Sequence, residues 1–72
     1  MDAWKEKLEY AVENYFNDCL NNGEHPRKMD WPDAYDCFCG CYGDEFDFNE
    51  SEAMELAKQI WTQLWKEWKE SI

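Results

Sequence analysis

Apolar residues recur at spacings of three and four near both ends of the chain. The first row runs through Trp4, Leu8, Ala11, Val12, Tyr15, Phe16, Cys19 and Leu20, the period of one helix face. A helix over 2–21 is therefore predicted. Asp2 suits its N-cap, and Lys5 and Glu9 can pair across one turn on the outer face. Asn21-Asn22-Gly23 stops it, because Asn and Gly tolerate the left-handed conformation of a C-cap. The second row, Ala53, Leu56, Ala57, Ile60, Trp61, Leu64, Trp65, Trp68 and Ile72, predicts a helix over 50–71. Asn49 and Glu52 have the spacing of a capping box, and Phe48 and Ala53 that of a hydrophobic staple. Acids open this helix and lysines close it, which suits its dipole.

Between the rows the pattern is ambiguous. In WPDAYDCFCG the residue before a proline avoids helical geometry. A short helix would then begin at Pro32, whose missing N–H costs nothing there, with Asp33 in its first turn and Gly40 closing it. A hairpin competes, since Tyr35, Cys37, Cys39 and Cys41 alternate and Gly40 or Gly43 could turn the chain. Asp44–Phe48 reads as a loop or brief extended piece tethered by its two phenylalanines. The expected fold is mainly α: two long antiparallel amphipathic helices plus a short middle helix or small β-hairpin, in one domain spanning 1–72. Seventy-two residues bury limited apolar surface. Five Trp, four Tyr and four Phe compensate, since each buried aromatic removes on the order of 150–250 Å² from water.

Charge changes the picture most. Seventeen acids face seven Lys or Arg, a net charge of −10. The excess is local: between Met29 and Ala57 there are nine acids and no Lys or Arg. Aromatics interleave them, among them Trp31, Tyr35, Tyr42 and Phe46. Concentrated like charge destabilises a small domain through self-repulsion, so a compensating use is expected.

The cysteines are the other chemical candidate. The N-terminal stretch is charged and amphipathic, with no apolar signal region, and no run approaches the roughly 20 apolar residues of a membrane span. A cytoplasmic protein with reduced thiols is the expectation. Cys37, Cys39 and Cys41 in DCFCGC have C-x-C spacing, a poor chelate for one tetrahedral ion, whose ligands usually come as C-x₂₋₄-C pairs. On a helix Cys37 and Cys41 would lie one turn apart, and Cys19 and His25 could complete a zinc set. The favoured reading is that the thiols act as small apolar side chains and that no cofactor is needed. DEFDFNESE has the acids of a calcium loop but not its glycine. No nucleophile with base, orienting group and oxyanion-stabilising turn is recognisable, so an enzyme is not expected. The row Trp61, Trp65, Trp68 is read as mainly core, with an exposed remainder that would suit a homodimer.

In size, charge and composition the chain is similar to phage-encoded DNA mimics and anti-defence proteins, including anti-CRISPR proteins. The resemblance implies a small acidic inhibitor that occupies the basic nucleic-acid-binding surface of its target, such as a host defence nuclease complex. Asp33, Asp36, Asp44, Glu45, Asp47, Glu50 and Glu52 would carry the contact, with Trp31, Tyr35 and Tyr42 as apolar anchors. The alternatives are a zinc-binding mini-domain using Cys19, His25, Cys37 and Cys41, and a helical homodimerisation module.

Overall fold

The computed structural model describes residues 3–71. Three α-helices follow one another: α1 (Ala3–Asn21), α2 (Trp31–Tyr42) and α3 (Glu50–Ser71). A single 3₁₀ turn, Lys28–Asp30, leads into α2. The helical reading of the middle segment holds, and no strand forms among the described residues. Asp2, the predicted cap of α1, and Ile72, the last residue of the second row, lie outside the described residues.

The ends of the helices follow local chemistry. Gly23 has φ +78°, and behind it the Glu24 N–H reaches the Cys19 carbonyl at 2.9 Å while the Gly23 N–H reaches the Leu20 carbonyl at 3.1 Å. This crossed pair satisfies carbonyls that the end of α1 would otherwise leave open. The Glu52 N–H donates to the Asn49 side-chain oxygen at 3.0 Å, so Asn49 caps α3 as its sequence predicts.

The middle helix departs from expectation at both ends. It starts at Trp31, which takes helical φ −58° and ψ −32° although Pro32 follows it. Packing of the Trp31 ring against the core favours the helical geometry that the proline alone disfavours. Gly40 does not close the helix; the chain stays helical to Tyr42, and Gly43 forms the cap with its N–H on the Cys39 carbonyl at 2.9 Å. A β-carbon at Gly43 would collide with that carbonyl. Among the described residues nothing approaches the space beside Gly40, and continuing one more turn holds Phe38 and Tyr42 on one face.

A second correction concerns direction. Lys5 meets Glu52, at the start of both long helices, and Phe16 meets Trp61 and Trp68, toward the end of both. The long helices therefore run parallel, not antiparallel. The physical reason is α2: as a helix of 12 residues followed by the connection 43–49 it carries the chain back, so α3 sets out in the direction of α1. All three helices pack on one another, in a body of 38 × 20 × 19 Å.

The core is a column of aromatics and small residues. Leu8, Val12, Phe38 and Trp61 are fully buried, with Ala34, Ala53 and Ala57 letting the helices approach. Phe48 lies against Trp4 at 5.6 Å and Phe38 at 5.3 Å, closing the end from which α3 starts. At the other end, the Trp61 indole N–H donates to the Arg27 carbonyl at 2.8 Å and the Trp65 indole N–H to the Pro26 carbonyl at 3.2 Å. These bonds fasten the connector 24–30 onto α3. The tryptophan row is thus graded: Trp61 is buried, while Trp65 and Trp68 are half-buried.

Candidate acidic docking surface

α2 and the start of α3 hold the acidic segment on the surface. On α2, Ala34 and Phe38 point inward, which turns Asp33 and Asp36 outward, both exposed. Asp44, Glu45 and Asp47 are exposed in the connection to α3, and Glu50 and Glu52 are exposed in its first turn. The two stretches flank one side chain: the Tyr35 hydroxyl is pushed up to about 12, first by burial, then by the Cys39 thiol, with Glu50 and Asp36 adding to the effect. Carboxylates from α2 and α3 thus bear on the same group.

Counter-charge is sparse, and it comes from α1, which the linear pattern did not reveal. Lys5 pairs with Glu52 at 3.3 Å, and the Lys7 ammonium lies 5.6 Å from the Tyr42 ring centre. Asp30 is engaged differently, its carboxylate accepting the Arg27 backbone N–H at 3.0 Å. Among the described residues, Asp33, Asp36, Asp44, Glu45, Asp47 and Glu50 make no ion pair.

The expected aromatic anchors sit deeper than anchors on an open surface. Trp31, Tyr35 and Tyr42 are half-buried and packed against the core. The Trp31 indole N–H is buried and has no hydrogen-bond partner among the described residues. Such an orphan donor costs roughly 1–3 kcal/mol.

The four cysteines are free thiols. Cys37 and Cys41 lie one turn apart on α2, beside Asn14 and Asp18 of α1. Burial, then the neighbouring Cys41, pushes the Cys37 thiol up. Cys19 sits beside Glu24, and burial followed by that carboxylate raises it as well. His25 is exposed, its ring 6.2 Å from that of Trp68. Among the described residues no three His, Cys, Asp or Glu side chains gather in a form that could hold a metal ion. No helix among them is long and apolar enough to cross a membrane.

Comparison with protein families, curated proteins and solved structures finds no match to this chain.

Proposed function

We propose that the protein is a small acidic inhibitor that occupies the basic, nucleic-acid-binding surface of another protein. One observation carries this reading: six exposed carboxylates of the belt lack a cationic partner among the described residues. They are mounted on a helix, a short connection and a second helix start, so their spacing is largely preset. Nucleic-acid-binding proteins array Lys and Arg against a phosphate lattice of about one charge per 1.7 Å of duplex axis. Carboxylates held in a row meet the same array and exclude the nucleic acid. The target proposed is a host defence nuclease complex, which would place the protein among anti-defence and anti-CRISPR inhibitors. Association is fast and weakens with added salt, because the contact is electrostatic.

The test is competition. The wild-type chain, immobilised at low salt, retains basic proteins from a bacterial lysate, and duplex DNA displaces them. The variant Asp33→Lys/Asp36→Lys/Asp44→Lys retains none of them. Retention of the same proteins by the reversed variant, or complexes indifferent to DNA, would falsify the reading.

A further inference from the structure

A second surface lies away from the face that α2 covers. α1 and α3 run side by side, and the outer angle between them forms a trough. Its floor is Leu56, Ile60 and Leu64, one turn apart on α3 and all half-buried. Two adjoining hollows, of about 280 and 350 Å³, share Leu56 and Gln59 and so form one depression. Its rim is acidic: Glu9 and Glu13 on α1, with Glu52, Glu55 and Glu67 on α3. Among the described residues the one base on the rim is Lys5, which is paired with Glu52.

We infer that this trough is a docking groove for a cationic amphipathic helix of a partner protein. Three apolar side chains at i, i+4 and i+8 match the stripe of a helix laid along them. From Glu52 to Glu67 the groove is about 22 Å long at 1.5 Å per residue, or some four turns of a docked helix. A fourth helix here would convert three helices into a four-helix bundle. The rim decides the occupant's charge. A second copy of the same face would set Glu9, Glu13, Glu55 and Glu67 against their own equivalents, and like charges across an interface oppose pairing. Lys and Arg flanking an apolar stripe complement the rim instead. The trough meets the belt only at Glu52: its other lining residues lie on α1 and the outer side of α3, whereas the rest of the belt lies on α2, the connection after it and Glu50.

Three synthetic peptides of about 18 residues, about five helical turns, test it against the full chain. The first has a leucine stripe at helical spacing flanked by lysines, the second is the same composition scrambled, and the third keeps the stripe but has glutamates as flanks. The striped cationic peptide binds in the micromolar range and shifts the NMR methyl signals of Leu56, Ile60 and Leu64. The exposed double variant Glu9→Lys/Glu13→Lys, which leaves the core intact, weakens it at least about tenfold. Asp33→Lys/Asp36→Lys changes it less than about twofold, which separates this groove from the belt. Equal binding of the scrambled peptide would reduce the effect to bulk charge, and equal binding of the glutamate peptide would remove the role of the rim; either overturns the inference. A stable dimer by light scattering that Ile60→Lys converts to monomer overturns it too, since the occupant would then be a second copy.

Discussion

The two ends of the molecule are built on opposite terms. At one end the starts of α1 and α3 converge with the end of α2, and the chain places Asp44, Glu45, Asp47, Glu50 and Glu52 there, all exposed. At the other end the C-terminal parts of α1 and α3 meet the connector 24–30. There Arg27, Lys28 and Lys69 border Trp65, Trp68 and His25, and Lys69 lies 5.7 and 5.4 Å from the two indole ring centres. The acidic end directs its charge outward. The aromatic end directs its hydrogen bonds inward, onto the carbonyls of Pro26 and Arg27. Parallel packing of α1 and α3 explains part of the polarity. Two helix N-termini favour carboxylates at one end, and two C-termini favour cations at the other. That field offsets part of the cost of the acidic end. It does not supply cations for Asp33 and Asp36 along the exposed side of α2. The comparison teaches that the packed core runs beneath both ends, with Trp4, Phe38 and Phe48 under the acids, while the unpaired surface charge of the acidic end is carried at a cost and available for contact.

The largest effect should come from Trp61. Trp61→Phe removes a buried ring's contacts and leaves the Arg27 carbonyl without its donor, and should lower stability by about 2–4 kcal/mol in urea unfolding. A loss under about 0.5 kcal/mol would break the claim that Trp61 anchors the fold. Next comes the turn that feeds the aromatic end. Gly23→Ala forces a β-carbon into left-handed geometry and should cost about 1–2 kcal/mol, read from the same unfolding curves.

Alkaline titration sharpens the contrast further. Cys19, Cys37, Tyr15 and Tyr35 are all raised in the folded state, burial being the first cause in each. The folded protein therefore holds protons that the unfolded chain releases. Stability from these groups is fully present below the ordinary thiol value of 9.0. It falls as pH rises toward about 12, where Tyr35 titrates. Thermal unfolding followed at steps from pH 8 upward should show the midpoint descending across that window; a flat profile would mean that burial of these groups contributes nothing. The smallest effect belongs to the acidic end. Asp44→Asn/Glu45→Gln/Asp47→Asn should leave stability within about 0.5 kcal/mol or raise it, because exposed like charges repel. A loss above about 1 kcal/mol would show these carboxylates to be structural and would remove the case for their use in contact.

Much of the architecture was legible before the fold was known. The stripes of Leu8, Val12 and Phe16 and of Ala53, Ala57 and Trp61 fixed two helices, because a face repeated over five turns has few other ways to be buried. Asn49 and Gly23 marked a start and a stop through side-chain and backbone chemistry that acts within a few residues. The acidic segment was legible as composition, and its exposure followed from the inward pull of Ala34 and Phe38. The middle helix was less so. Pro32 before the helix and Gly40 within it each argued locally for a boundary, and both were overridden by the packing of Trp31 and Tyr42 against the core.

Sequence by itself determined where the long helices lie, where α1 stops and α3 starts, and where the excess negative charge falls, since each depends on neighbours within a turn or two. Tertiary structure alone decided that the long helices run parallel, that Lys5 and Lys7 reach the acidic region, and that Trp61 and Trp65 clasp the connector. It alone left an acid-rimmed trough open along Leu56, Ile60 and Leu64. Those outcomes depend on pairings across the chain, such as Trp61 with Arg27 and Lys5 with Glu52, whose partners no local period can name.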